Sequence, residues 1–492
     1  VSIQPEHFWN TGAALPPRII GTECEYKLQL PPGVGPERFI GDQALTALGI
    51  AHHGQYLGAA YGGSKLYVDI GQHAELARAE ALGPARAAVE DIDGIDQLAG
   101  IITGSGLEHR GLYRTAGTYI PGELSDDPEG KSTGYTNGYH ENYLMVRELV
   151  DDPLLDALVP TSLASRLWGM GGTLRAEGFV YSQKVWGTGG VPIERSVRRR
   201  TEHGKKPMAM IPPALSDADT VGDEAWARLE VRMADPGLSL AGRYLNFAAT
   251  SLTLRLLELQ QAGRLPQPLD SVSLLGGCLT DPVAAAKLYA ADLTLRRTAP
   301  TQGGQQLTAL DVQERLLDAF EALPGYCLLP ADERLAIAGM RRVVDAFRRS
   351  RPQLAEYDAE MYRLTDCAPR HRTLSLQQDP TQLTARNPLQ MSRDLRWGKV
   401  LPAHAGDPEG LGRKYWRGQA ARGRDAYDRQ VRTLAAASDL SQRAHRRAQI
   451  VDGPADGAKV YNWARWSDSQ GNRYTFGGPY GDADEQALPR AA

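Results

Sequence analysis

The chain has 492 residues, 42% hydrophobic and 23% charged, enough for a large globular core and more than one domain. A formal net charge of −4 gives no general case for nucleic-acid or membrane-surface binding, and no apolar run approaches the roughly 18 residues of a membrane helix. Cys24, Cys278, Cys327 and Cys367 lie far apart without a CxxC pair, which argues against a zinc site or a disulfide framework and for a reducing compartment. With no signal-peptide pattern at the start, the reading is cytoplasmic.

Residues 1–17 read as a leader. "RIIGTECEY" (18–26) alternates as a half-buried strand does, and "GGSKLYVDIG" (62–71) is a second strand entered by a Gly-Gly turn. An Ala-rich stretch over 81–103 predicts a helix, and "GLYRTAGTYI" (111–120) returns to strand character. A polar loop over 122–138 leads into "YHENYLM". "GFVYSQKVW" (178–186) and "ARLEVRMAD" (227–235) are further alternating strands. Apolar residues at three- and four-residue spacing then predict a long helix over 239–263, with others near 307–322, 331–350 and 416–448. The tail, 459–481, reads as a small β-hairpin unit turning at "SQGN". The expected class is α+β, an antiparallel sheet packed on helices over 18–399, with a small C-terminal domain over 400–492.

Glu23 and Glu25 are one residue apart on a strand, so both carboxylates face the same side. Such a pair is most often a solvent face; on a central strand it calls for cations or water between the charges. Tyr67 and Asp69 share a face of the second strand, and Glu75 follows. Carboxylates with a phenol suit Mg²⁺, leaving Asp69 to act as a general base; the bland alternative is a polar strand end. His73 and Glu80 fit a role in shaping the turn. His140, before Glu141 and Asn142, is a metal ligand, a phosphate donor or a structural imidazole. Arg195, Arg198, Arg199, Arg200, Lys205 and Lys206 form a cationic cluster suited to an acidic polypeptide, to a triphosphate or simply to solvent. No GxxxxGK[ST], strand-following GxGxxG or HExxH occurs, so any ATP site lies on a sheet with metals and not on a phosphate loop.

In order, "RIIGTECEY", "KLYVDIGQHAEL", "GYHENYLM", "FVYSQK" and "ARLEVRMAD" before a long helix resemble the Pup ligase and depupylase family, as does the tail "NWARWSDSQGNRY". The resemblance implies a glutamine synthetase-like fold whose antiparallel sheet cradles ATP and Mg²⁺. It implies metal ligands at Glu23, Glu25, Tyr67 and Glu75, a catalytic base at Asp69, and His140 in the nucleotide and metal site. Trp463 matches a tryptophan near the adenine, and Lys65 replaces a usual arginine near the phosphates. The chain also departs from the pattern. Glu230 stands where "RLHV" would place a histidine, Arg78 where a nucleotide-binding threonine is usual, and the family's "NTRDEPH" stretch is not recognisable near 206–217. Glu230 with Arg232 resembles the wider glutamine synthetase group.

The implied activity is ATP- and Mg²⁺-dependent ligation of a glutamate carboxylate to an amine. Its implied partners are a small acidic Pup-like protein or peptide, drawn by Arg198, Arg199 and Arg200, and a lysine-bearing acceptor. Only residues 27–64 separate "ECEY" from "KLYVD", which favours a ligase over a depupylase carrying an extra loop there. A depupylase-like amidohydrolase and a nucleotide-binding pseudoenzyme remain as alternatives.

Overall fold

The structure is a computed structural model. It describes residues 5–8, 14–29, 59–61, 63–68, 74–104, 111–115, 138–175, 177–182, 184–195, 206–212, 224–265, 271–323, 326–376, 383–384, 387–402, 409–441, 443–445 and 448, and short strands between 459 and 488. Asp69, His73, Arg198, Arg199, Arg200 and Trp463 lie outside the described residues.

The first strand organises the rest. β1 (Ile19–Gln29) pairs antiparallel with β4 (Ala74–Ala77) on one side and with β7 (Tyr139–Val146) on the other. Beyond β4 lie β3 (Ser64–Val68) and β2 (Ala59–Tyr61); beyond β7 lie β12 (Trp226–Val231), β11 (Ala209–Met210) and β10 (Ile193–Glu194). β5 (Ala81–Leu82) and β6 (Gly111–Tyr113) also pair with β1, and β15 (Lys399–Pro402) pairs with β6, so eleven of the described strands form one sheet. Every pairing is antiparallel except β10 with β11.

One face of this sheet is apolar. Cys24, Tyr26, Leu66, Leu76 and Tyr139 pack with Ile95, Leu98 and Ile102 of the helix Pro84–Gly104. Tyr143, Leu229 and Val231 pack with the helices Pro153–Ser165 and Leu240–Gln261. Helices therefore cover this face, as the α+β expectation requires. Among the described residues, no helix is long and apolar enough to cross a membrane.

Two glycines punctuate the frame. Gly63 has φ +80 and admits the Ala444 carbonyl where a Cβ would sit, which lets β2 turn tightly into β3. Gly423 (φ +65) interrupts the helix expected over 416–448, which is instead two helices, Leu411–Ala421 and Ala426–Ala437. The run 178–186 also differs from expectation: strand occupies only Gly178–Val180, paired with Thr173–Arg175, and Lys184–Gly187 is a 3₁₀ turn. The helix Pro153–Ser165, not expected from the sequence, is capped by Asp152 and opened by Pro153.

At the C-terminal end the helix Ala426–Ala437 lies against the helices Pro84–Gly104 and Leu240–Gln261. Strands Lys459–Asn462, Arg465–Ser467, Arg473–Thr475 and Gln486–Leu488 form a separate antiparallel sheet.

Sheet and helices are joined by a buried ion pair. Arg18 enters β1 and pairs with Glu258 of the helix Leu240–Gln261 at 2.7 and 2.9 Å, while also donating to the Leu144 carbonyl of β7 at 2.6 Å. Both side chains are fully buried. Arg18→Ala would strand the Glu258 carboxylate without a counter-charge, and we expect a loss of roughly 3–5 kcal/mol in denaturant-induced unfolding. A loss below about 1 kcal/mol would show that the pair does not hold helix to sheet.

Candidate functional site

The opposite face of the same sheet is polar, and the register explains why. Directly opposed residues of antiparallel strands share a face. Lys65 opposes Ala77, Ala77 opposes Glu23, and Glu23 opposes His140. One row along, Tyr67 opposes Glu75, which opposes Glu25; in a third row Gly21 opposes Asn142, which opposes Glu230. Residues from five strands thus converge on one surface through alternation alone.

Three of them close into a cluster. Ligand atoms of Glu23, Glu75 and His140 all lie within 4.8 Å of one another. Two ligands on one octahedral cation at about 2.1 Å stand roughly 3 to 4.2 Å apart, so a small inward movement would seat an ion. His140 Nδ1 lies 3.3 Å from Glu23 Oε2, and its Nε2 is buried with no hydrogen-bond partner. Two carboxylates and an imidazole fit a divalent cation such as Mg²⁺ or Mn²⁺.

Glu25 falls outside this cluster. Its carboxylate accepts the backbone N–H of Gly138, a close approach that a side chain at 138 would block. Tyr67 lies across from Glu75, and its ring carries the Lys65 ammonium 4.1 Å from the centroid. Burial pulls the Lys65 ammonium down to about 8, although the charges of Glu23 and Glu75 resist the shift. Lys65 is thereby a counter-charge within the carboxylate face.

Glu230 sits at the centre of an ion-pair network. Arg232 Nε donates to its Oε1 at 2.5 Å, and Arg228 approaches its Oε2 at 3.2 Å. Arg228 also donates to Asn142 Oδ1 at 3.2 Å and lies 3.9 Å from Glu23. Burial would raise the Glu230 carboxyl, but Arg232, Arg228 and His140 outweigh it and hold it at about 2. The glutamate at the unexpected position is therefore a fixed anion.

Arg78 does not reach this face. Being one step out of phase with Glu75 and Ala77, it crosses Gly94 and pairs with Glu90 at 2.5 Å and with Gln97 on the helix side. Its expected contact with a nucleotide is corrected by that alternation. Glu80, expected only to shape a turn, is buried and binds Ser441 and Arg443.

Two residues were missed by the sequence reading. Arg228 precedes Glu230 and Arg232 at two-residue steps, so the strand period places it on their face. Lys184 is buried where a turn replaces the expected strand. Its ammonium is pulled down to about 8, by burial first and Lys206 next, against the charges of Glu25 and Asp235. No periodic signal marks a residue in such a turn.

The family described as Pup-ligase protein matches residues 55–467. Among curated relatives, a Pup–protein ligase of Acidimicrobium ferrooxidans is 29% identical over 295 residues, covering 58% of this chain and 58% of the relative. One from Bifidobacterium longum is 26% identical over 344 residues, covering 68% of this chain and 66% of the relative. The chain thus spans less than two thirds of the length of these relatives. A solved complex of the prokaryotic ubiquitin-like protein Pup with its ligase PafA superposes with a TM-score of 0.67 at 18% identity, over 96% of this chain and 91% of that one. The Pup ligase PafA in complex with ADP gives 0.61 at 18% identity, over 87% and 88%. These superpositions establish a shared fold.

Two outcomes follow from the geometry. Glu75→Gln should weaken Mn²⁺ binding at least tenfold by calorimetry while the circular dichroism spectrum is retained, and unaltered binding would dissolve the cluster as a cation site. Lys65 supplies a pH signature. Its folded value of about 8 lies below the 10.5 of an unperturbed lysine, so between them the unfolded chain holds the extra proton and stability rises with pH. Lys65→Met should remove its share of that rise between about pH 8 and 10.5, read as a flatter pH dependence of the unfolding midpoint.

Proposed function

The chain belongs to the Pup-ligase protein family, and from that premise we propose that it is an ATP- and Mg²⁺-dependent ligase joining a glutamate carboxylate to an amine. The observation that carries the reading is the cluster of Glu23, Glu75 and His140 on a polar sheet face opposite the helices. The donor set supports a bound Mg²⁺, which would offset phosphate charge. Glu25 and Tyr67, in the adjoining row, border that position, and Lys65 and Arg232 add cationic charge suited to phosphate oxygens.

In the proposed reaction the side-chain carboxylate of the donor attacks the γ-phosphorus of ATP and ADP leaves. The acyl phosphate so formed is electrophilic at its carbonyl carbon. An amine attacks that carbon, the new C–N bond replaces the C–O bond to phosphate, and inorganic phosphate departs. Asp69 is proposed to take the amine proton, as the base of the reaction.

The partners are proposed on the same footing. A solved relative is a complex of Pup with its ligase PafA, and named relatives are Pup–protein ligases. By that likeness the donor here is a small acidic Pup-like protein, recruited by Arg198, Arg199 and Arg200, and the acceptor is a protein lysine. ADP in a solved relative supports nucleotide binding, with Trp463 proposed at the adenine. The C-terminal sheet, which flanks Trp463 in sequence, is proposed as a small domain of its own, and the cytoplasm as the compartment.

The deciding experiment is ATP turnover with and without an acidic carboxylate donor and an amine acceptor. Stoichiometric ADP and amide would support the ligase; amide cleavage without net ATP consumption would replace it by a hydrolase. Asp69→Asn should then retain ATP binding and lose roughly 10²–10⁴-fold in amide formation, the usual contribution of a general base. Normal turnover in that variant would remove Asp69 as the base, and lost ATP binding would make it a metal ligand instead.

A further inference from the structure

We propose that the chain at 439–441 and 443–444 is a strap that positions the β3–β4 hairpin, with Ser441 and Arg443 acting on Glu75 and Lys65 through Glu80. The inference rests on the cation-site reading above and adds to it two positioning residues from the far end of the chain.

The hairpin carries three members of the polar face, Lys65 and Tyr67 on β3 and Glu75 on β4. β1 holds β4 directly, whereas β3 lies between β4 and β2, one step further from the centre of the sheet. The base of the hairpin is formed by Gly63 and Ser64 on one arm and Ala79 and Glu80 on the other. Across it, Ser64 Oγ accepts the Ala79 N–H at 3.1 Å.

The strap closes on both arms of that base. Beside β4, the Ser441 N–H donates to the Glu80 carbonyl at 2.8 Å and the Leu82 N–H to the Asp439 carbonyl at 2.9 Å, with Leu440 bridged to Ala81. Beside β3, the Ala444 carbonyl fills the space that a Cβ at Gly63 would need. Side chains lock the same place. Arg443 grips both carboxylate oxygens of Glu80, with Nε donating at 3.2 Å, and Ser441 Oγ donates to Oε2 at 2.9 Å. Ser441 Oγ also accepts the Ala444 N–H at 3.1 Å, which ties the two contacts of the strap together. Glu80, Ser441 and Arg443 are all buried. A two-pronged guanidinium–carboxylate pair fixes orientation as well as distance.

The strap continues from the helix Ala426–Ala437, which lies against the helices Pro84–Gly104 and Leu240–Gln261. It therefore references the hairpin to the helical layer by a route that does not pass through β1. Loosening the strap should free the arm that carries Lys65, Tyr67 and Glu75. His140 and Glu230 should stay in place, because β7 pairs with β1 and β12 pairs with β7.

Arg443→Met and the milder Ser441→Ala, each checked for its fold by circular dichroism, test this by hydrogen exchange and Mn²⁺ binding. In Arg443→Met, exchange over 64–68 and 74–77 should be at least roughly tenfold faster, because a buried carboxylate left without its partner favours local opening. Exchange over 139–146 and 226–231 should not change. Mn²⁺ affinity, read by electron paramagnetic resonance, should fall roughly 2–30-fold, the range for residues coupled to a site without touching it. Ser441→Ala should show the same pattern at smaller size, and it carries the test if Arg443→Met does not fold. Unchanged hairpin exchange in the folded variants overturns the strap. Faster exchange spread equally over β7 and β12 makes it a general structural tie and overturns the positioning role, as does a loosened hairpin with wild-type Mn²⁺ affinity. If the wild type binds no Mn²⁺, the cation-site reading fails, and exchange confined to the hairpin would still uphold the strap's hold on it.

Discussion

The constraint on which the rest of the structure depends is the two-residue alternation of β1, read on both sides at once. Its even-numbered residues from Thr22 to Tyr26 face the helices, while Glu23 and Glu25 face away. Because β1 pairs antiparallel with β4 and β7, that alternation is imposed on both neighbours and, through them, on β3 and β12. A register slip of one residue would send Glu23 and Glu75 into the apolar core and bring Leu76 and Tyr26 to the polar side. The core and the candidate site are therefore specified by the same hydrogen-bond ladder. Cys24, Tyr26 and Leu76 hold the sheet on its helices and so hold the carboxylates in place.

Converging so many carboxylates on one surface carries an electrostatic cost that the sequence meets nearby. Lys65 lies in the same row as Glu23, Lys184 sits beside Glu25, and Arg228 with Arg232 brackets Glu230. Opposite charges at this range lower the energy of a desolvated carboxylate by far more than they would in water. The distribution is uneven. Glu230 receives two guanidinium groups at 3.2 and 2.5 Å, whereas Glu23 has an arginine at 3.9 Å, an imidazole at 3.3 Å and the charge of Lys65 in its row. Such an imbalance separates an anion that is structurally satisfied from one with capacity left for a further cation.

Much of this was legible in the sequence, and the failures have identifiable physical causes. The alternation in "RIIGTECEY" and "ARLEVRMAD" is sufficient to find β1 and β12 and to pair Glu23 with Glu25 on one face, whereas Glu230 with Arg232 stands out only through the family resemblance. Periodicity alone carries no information on what happens after a strand ends. Arg78 lies just past β4, where one further residue of phase turns it to the helix Pro84–Gly104 and to Glu90. Lys184 lies in a 3₁₀ turn that a propensity reading continues as strand, because Val180, Tyr181 and Val185 are good strand formers in any local context. Glu25 shares the face of Glu23, but its hydrogen bond to the Gly138 amide depends on a residue more than a hundred positions further along the chain. The break at Gly423 shows the same limit, since a single left-handed residue outweighs helical periodicity on both sides of it.

Adjacent residues of β7 make the distinction between structural and functional charge concrete. Glu141 points into the core, where Arg166 pairs with it at 2.8 Å and Tyr143 donates to it at 2.8 Å. That carboxylate ties β7 to Arg166, just after the helix Pro153–Ser165. His140 points the other way, shares its Nδ1 side with two carboxylates and retains a buried Nε2 with no partner. An unpartnered buried atom is not by itself diagnostic, because Arg243 and Asn246 also have such atoms within the core. What sets His140 apart is convergence: one of its ring nitrogens lies within 4.8 Å of carboxylate oxygens from two separate strands. Packing can leave one polar group unmatched, but three donors brought together from β1, β4 and β7 require the register of the whole sheet. Chemistry at this face is thus a property of the fold's pairing pattern, with each side chain supplying only the atom that the pattern delivers.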